Sequence, residues 1–263
     1  MRVVSNRLNK VPIYYEHPLN ERIRTLVRLE DVFARAQTFL ARESLADHQI
    51  ALQILFELIE VSSRGDLKSD LLQELERQKL SLMAYRDYEG VDLKRLDNLV
   101  TSIDHTIQQA LAQTGKVGAM IPDYEWLSGI KQRMALPGGS CSFDLPQLHY
   151  WLNLPPETRQ ANLTEWFAPF RPIQDGIGII LRLLRGTGQT TAQIAHNGSF
   201  NLMQNGAKTA QLLCIVPEEG MPCVPEVSAN KYAISVRFLE AEGAARGKMY
   251  EKDVPFELTL YQR

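Results

Sequence analysis

The sequence predicts an α+β protein, in which an N-terminal multi-helix domain is followed by a small antiparallel β domain. Two observations predict this fold class. From about residue 18 to residue 186, apolar side chains recur every three or four positions, which is the spacing of amphipathic helices. After Gly186 the spacing changes to alternation, which is typical of antiparallel strands with one buried face.

Proline, glycine and capping residues divide the helical part. Pro18 is predicted to open the first helix, because proline fits a first helical turn. A short later helix is expected to begin with Asp144 as its N-cap and Pro146 behind it. The other helices are predicted from about 45 to Gly65, from a cap at Asp66 past residue 82, from 93 to a C-cap at Gly115, and over 123–136, 156–167 and 172–185.

The β part shows two strong turn signals and two alternating segments. Asn197-Gly198 and Asn205-Gly206 predict tight hairpin turns, because both residue types adopt positive φ at low cost. Residues 231–239 and 254–262 alternate apolar and polar side chains, which predicts two strands, with Lys231 and Arg237 on the outward face of the first. These patterns favour an antiparallel sheet with one solvated face.

The predicted domain organisation has four segments. Residues 1–10 are expected to be a disordered leader, and the strand-like segment 11–17 is expected to join the β domain. The α-helical domain is predicted over 18–186 and the antiparallel β domain over 187–263.

Composition and charge exclude several classes of protein. The formal net charge is -2, so no strong general attraction to nucleic acid or to an anionic membrane is expected. The three cysteines form no disulfide framework and no CxxC motif, which indicates reduced thiols. No signal peptide is evident, and no apolar run reaches the ~18 residues of a spanning helix. We therefore expect a soluble cytoplasmic protein without membrane insertion.

No arrangement of residues indicates catalysis. The five histidines are widely separated, and no two have the spacing of helical metal ligands. The Gly-Thr-Gly sequence at 186–188 follows no strand and lacks the lysine of a phosphate-binding loop. We therefore predict a protein that is not an enzyme, with no cofactor and no metal.

Residues 136–155 predict a stiff turn followed by a short aromatic helix. The sequence Pro-Gly-Gly at 137–139 cannot continue a helix. We expect Phe143, Leu148 and Trp151 to be buried, so that this segment braces the helical domain. Such a segment, without acid–base pairs, is typical of an architectural or interaction protein.

Basic side chains are the candidate binding residues. Arg24, Arg28 and Arg35 share one side of the first helix, and a second basic cluster precedes the turn at 137. Arginine binds carboxylates in a bidentate manner, so these sites are suited to an acidic or C-terminal peptide. A solvated helix face is an alternative interpretation, and so is a nucleic-acid-binding module that uses this basic face, although the net charge opposes it.

Several ordered blocks of the sequence resemble the ZapD family of bacterial cell division proteins. The blocks are Tyr-Tyr-Glu-His-Pro-Leu-Asn-Glu-Arg-Ile-Arg-Thr at 14–25, Leu-Leu-Gln-Glu-Leu-Glu-Arg-Gln at 71–78, the segment at 137–152, and the strands at 233–238 and 256–258. The resemblance extends over about residues 13–262.

This resemblance implies a fold, partners and a site. Members of the family have an α-helical and a β domain, form homodimers and are not enzymes. They bind the C-terminal tail of FtsZ, the tubulin-like division GTPase, and cross-link its filaments at the Z ring in midcell. The resemblance also implies that basic surface residues serve this binding. This chain keeps such residues at Arg24, Arg28, Arg133, His149, Lys231 and Arg237. The chain departs from the family at Glu125, where a basic residue can occur.

Overall fold

The computed structural model describes residues 12–63, 67–113, 121, 123–204, 210–243 and 246–262. Within these residues the helices are α1 (Glu21–Leu40), α2 (Leu45–Ser63), α3 (Leu67–Met83), α4 (Leu93–Ala112), α5 (Tyr124–Met134), α6 (Pro146–Leu152), α7 (Pro156–Phe167) and α8 (Arg171–Arg185). The strands are β1 (Tyr15–Pro18), β2 (Gly188–Ala195), β3 (Ser199–Met203), β4 (Leu212–Pro217), β5 (Cys223–Ala229), β6 (Ala233–Glu240) and β7 (Val254–Tyr261).

The predicted fold class is confirmed, since helices occupy the N-terminal part and antiparallel strands follow. The first helix begins later than predicted. Pro18 ends strand β1, and the Asn20 side chain accepts a hydrogen bond from the Ile23 N–H at 2.9 Å, so that Asn20 supplies the cap. The predictions for residues 1–10, Gly65, Asp66, Gly115 and Asn205-Gly206 lie outside the described residues.

The chain divides into two compact units. One unit comprises Met1–Val27 with Arg182–Arg263, and the other comprises Arg28–Leu181. The boundaries between the units fall within α1 and α8, so each of these two helices contributes residues to both units. The domain boundary at 186–187 stays a prediction based on the change of periodicity.

The helical unit is built around a core of leucine, isoleucine and aromatic side chains. Leu148 and Trp151 are buried as predicted, and Trp166 and Phe170 are also buried. Phe143 is 82% exposed, so its predicted burial is wrong. Phe143 lies in the turns that precede α6, outside the helical repeat that directs Leu148 and Trp151 inward.

The start of α6 also differs from the prediction. Pro146 occupies the first turn as expected, but the N-cap position is Leu145, without a side-chain cap hydrogen bond. The Asp144 carboxylate instead lies 3.9 Å from the Arg133 guanidinium. The N-cap position therefore lies one residue later than predicted, and Asp144 forms an ion pair instead of capping the helix.

The β unit contains two antiparallel sheets that share one core. Their strand orders are β1-β4-β7-β2 and β3-β6-β5. The inward side chains of β6, including Ile234, Val236 and Phe238, are fully buried, which confirms the predicted alternation. Phe238 lies 5.3 Å from Phe256 of β7, ring centre to ring centre, so aromatic contacts connect the two sheets.

A tight turn connects β2 to β3, as predicted. Asn197 and Gly198 have φ values of 48° and 72°, and the Ser199 N–H donates to the His196 carbonyl at 3.0 Å. A Cβ on residue 198 would lie 2.2 Å from the Tyr250 carbonyl oxygen, so glycine is required for space as well as for conformation.

The N-terminal strand lies later in the sequence than predicted. The segment 11–17 was expected as a strand, whereas β1 extends over Tyr15–Pro18 and pairs with β4. The Glu16 carboxylate of β1 accepts hydrogen bonds from Arg185 at 2.8 and 2.7 Å. This bidentate ion pair holds the strand to the end of α8.

Candidate functional site

Helix α1 carries the first pair of predicted binding residues. Arg24 is half-buried and forms an ion pair with Glu21 at 2.6 Å, whereas Arg28 is exposed. Arg28 has no ion-pair partner among the described residues. Since the two arginines are four positions apart in one helix, they lie one turn apart on the same side.

Arg35 continues this basic face but is occupied by carboxylates. Its guanidinium donates to Asp31 at 3.0 Å and to Glu57 at 3.1 Å. These contacts neutralise the charge of Arg35. A nucleic-acid-binding face would need that charge for contacts with phosphate groups. The exposed cationic end of this face is therefore Arg28.

Arg133 and His149 lie in the helical unit. Arg133 is in the last turn of α5, where its side chain is 58% exposed and its guanidinium is only loosely paired with Asp144 at 3.9 Å. His149 is exposed on α6. Glu125, where the family can carry a basic residue, is exposed in the first turn of α5.

Lys231 and Arg237 lie in the β unit. Lys231 was predicted on a strand, but it precedes β6 in a bend, with its ammonium 4.7 Å from the centre of the Tyr232 ring. Arg237 faces outward on β6, as predicted, and forms an ion pair with Glu226 of β5 at 2.6 Å. Both basic side chains are exposed.

An aromatic groove in the helical unit was missed by sequence reasoning. It has a volume of about 500 Å³. The rings of Trp126, Trp151 and Trp166 are clustered there, with centroids 5.4–6.4 Å apart, and Tyr150 at its edge is 71% exposed. No short-range spacing links these tryptophans, because they come from three different helices, α5, α6 and α7.

Polar groups at this groove are only partly satisfied. The Trp151 indole N–H donates to the side-chain oxygen Oδ1 of Asn162 at 3.1 Å. The buried Trp166 indole N–H has no acceptor among the described residues. Asp123 also lines the groove, in a left-handed conformation with φ 57°, and its carboxylate makes no cap hydrogen bond to α5.

A second polar cluster, which we call the Arg159 centre, consists of Arg159 and the four groups that accept its hydrogen bonds. Arg159 and His48 are buried, and the Arg159 Nε–H donates to His48 Nδ1 at 2.8 Å. The same guanidinium donates to the carbonyls of Leu152, Leu154 and Glu43 at 2.5–2.7 Å. These four hydrogen bonds hold α7 to α2 and the segment before it, through His48 and Glu43, and to the end of α6, through Leu152 and Leu154.

The described residues support neither a metal site nor a membrane-spanning segment. Within them, no group of three or more His, Cys, Asp or Glu side chains is arranged to hold a metal ion. None of the helices in this part of the chain combines the length and apolarity needed to cross a membrane.

Comparison with known proteins identifies the family. The profile described as "ZapD: Cell division protein" matches residues 27–237. The chain belongs to the ZapD family. It is 45% identical to a cell division protein ZapD of Aromatoleum aromaticum over 94% of this chain and 96% of that protein. It is also 45% identical to ZapD of Nitrosomonas europaea over 97% of both chains, and 46% identical to ZapD of Nitrosomonas eutropha over 94% and 98%.

Membership of the ZapD family supports a role in cell division, and no catalytic activity is indicated by the family's name. The profile includes α5, α6 and α7, and therefore the groove and the Arg159 centre. It also includes Arg28 and Arg237.

Proposed function

We propose that the protein is a cell division scaffold that binds the C-terminal tail of FtsZ and cross-links FtsZ filaments into bundles. It would act as a homodimer in the cytoplasm, at the midcell ring, and thereby stabilise the Z ring during septation. Membership of the ZapD family supports the proposal. The observation that carries it is Arg28, an exposed cation without an ion-pair partner among the described residues, one turn from Arg24.

The other basic positions differ in how readily they would bind a carboxylate. Surface ion pairs contribute only about 0–1 kcal/mol, so the partners of Arg24, Arg133 and Arg237 could be exchanged at low cost for a carboxylate of the tail. His149 and Lys231 are exposed and complete the proposed binding set.

Bundling would follow from multivalency. A filament displays many flexible tails, and each dimer would present two receptor sites, so a weak single contact becomes strong bridging between filaments. Because the contacts would be charged and exposed, salt should weaken the bundling.

The deciding experiment is co-sedimentation with FtsZ filaments, with and without the FtsZ tail, for the wild type and for the double variant Arg24→Glu, Arg28→Glu. We expect the variant to lose bundling while its circular dichroism and dimer mass stay normal, because the two charges lie away from the apolar stripe of α1. Removal of the tail should abolish bundling by the wild type.

The matched control is Lys94→Glu, Arg95→Glu. These residues are exposed in the first turn of α4, and the variant undergoes the same change of charge. It should bundle as the wild type does. Wild-type bundling by a folded Arg24→Glu, Arg28→Glu protein would remove α1 from the mechanism and leave Arg133, His149, Lys231 and Arg237 as candidates.

A further inference from the structure

The aromatic groove combines apolar surface with one negative charge. Trp126, Trp151 and Trp166 form its walls, and the rings of Trp126 and Trp151 are inclined at 63° to each other. Tyr150 exposes most of its surface, although it neighbours the buried Trp151. Differently inclined aromatic rings around one space attract cations through their π-faces and also cover an aliphatic stem.

Asp123 supplies the charge. It occupies the N-cap position of α5, where an aspartate ordinarily accepts a hydrogen bond from the helix, as Asp92 does from the Arg95 N–H at 3.0 Å in α4. The Asp123 carboxylate makes no such bond, and it is exposed, with no ion-pair partner among the described residues. It is the only charged side chain among the described residues that line the groove.

From this geometry we propose that the groove binds an arginine or lysine side chain of a peptide partner. The cationic group lies at the Asp123 carboxylate and against the face of the Tyr150 ring, and the aliphatic stem lies against Trp126. Asn162 adds specificity, because its oxygen is occupied by Trp151 and its amide N–H groups remain to donate to a peptide carbonyl. The inference depends on this groove alone and not on FtsZ as the partner.

The tryptophans make the groove directly observable. The sequence contains three tryptophans, and all three line the groove. The three indole N–H signals in the NMR spectrum of the isotope-labelled full chain therefore report on this site. The probe is N-acetyl-arginine amide, and its matched control is N-acetyl-citrulline amide, in which a neutral urea group replaces the guanidinium.

We expect the arginine probe to shift the indole signals in a saturable manner, with an affinity about tenfold higher than that of the citrulline probe. Equal affinity for both probes would contradict a cation site. Absence of any saturable shift with the arginine probe would contradict a ligand site altogether.

Asp123→Asn should reduce the affinity for arginine to the level of citrulline. Asparagine tolerates a left-handed φ, so this variant keeps the backbone and removes the charge. The control is Glu125→Gln, which removes a neighbouring exposed carboxylate that does not line the groove, and it should leave the affinity unchanged. An equal loss in both variants would reduce the effect to general electrostatics and overturn the proposal.

A second variant guards against a folding defect. Tyr150→Leu alters a side chain that is 71% exposed, so the fold should persist. It should weaken arginine binding about threefold through loss of the π-face. Unchanged arginine binding in both Tyr150→Leu and Asp123→Asn would place the probe elsewhere and contradict the assignment.

Discussion

Two polar arrangements lie along α7, and they differ in how completely their hydrogen bonds are made. At Arg159, which is buried, the guanidinium makes four hydrogen bonds to acceptors of the same unit, and one of these acceptors, His48, is also buried. Three positions later, Asn162 lies at the groove, where the Trp166 indole and the Asp123 carboxylate have no partner among the described residues. Buried groups whose bonds are complete stabilise a fold, whereas an exposed carboxylate without a partner, such as that of Asp123, remains available to a ligand.

The same contrast holds for neighbouring residues of α6. Trp151 is 5% exposed and donates to Asn162, while Tyr150 is 71% exposed. A short helix thus has one side chain in the core and the next at the edge of the groove. Stability and binding should therefore respond to different substitutions.

The largest effect on stability is expected for Arg159→Met. Methionine preserves much of the volume but leaves His48 Nδ1 and three carbonyls without their donor. We expect the free energy of unfolding to fall by on the order of 5 kcal/mol, measured by urea denaturation. Arg86→Met is the control, because Arg86 is exposed and its ion pair with Asp97 should contribute less than about 1 kcal/mol. Equal losses in the two variants would contradict a structural role for the Arg159 centre.

Next in size is Trp151→Ala, which should destabilise the protein by about 3 kcal/mol. This value is at the low end for tryptophan, because the space created opens onto the groove and can be hydrated. Thermal unfolding should show a clear decrease in Tm. Tyr150→Ala, its neighbour, should change stability by less than about 0.5 kcal/mol. If both variants melt alike, the distinction between core and groove edge on α6 is wrong.

The smallest effect concerns pH. His48 Nε2 lies 2.7 Å from the Arg42 carbonyl, so Nε2 carries the proton and Nδ1 accepts from Arg159. Burial is the main cause that lowers the pKa of His48 below its ordinary value of 6.5. The hydrogen bond to the Arg42 carbonyl opposes this shift, the Arg159 charge lowers the pKa further, and Asp47 and Glu43 make smaller opposing contributions. The folded protein therefore binds this proton less readily than the unfolded chain does.

The sign of the pH dependence follows from that difference. The contribution of neutral His48 to the free energy of unfolding is complete above pH 6.5. It is lost as the pH falls from 6.5 through the lower pKa of His48 in the folded state. Burial and Arg24 also lower the pKa of His17, which adds a change of the same sign. We expect urea midpoints to decrease on acidification below pH 6.5, and His48→Gln to reduce the slope. His105→Gln, at an exposed position of α4, should leave the slope unchanged, and an equal reduction in both variants would exclude the Arg159 centre as its source.

Much of the fold could be predicted because it depends on local patterns. The helical spacing, the alternation in β6 and the Asn197-Gly198 turn express backbone preferences that a short stretch of residues determines. Of the proposed binding residues, the sequence supplied the arginines on α1 and the outward position of Arg237. The ion pair of Arg237 with Glu226 could not be predicted, because Glu226 comes from another strand. For Arg35, which lies on the same face of α1, the contact with Asp31 is within one helical turn, but the contact with Glu57 of α2 could not be predicted.

The sequence by itself determined the fold class, the order of its elements and the family to which the chain belongs. Only the tertiary structure decided which polar groups are satisfied. Arg159 meets His48 from 111 positions away, and three tryptophans from separate helices form one groove beside Asp123. Such contacts depend on how helices pack, and packing joins residues whose separation in the sequence follows no period.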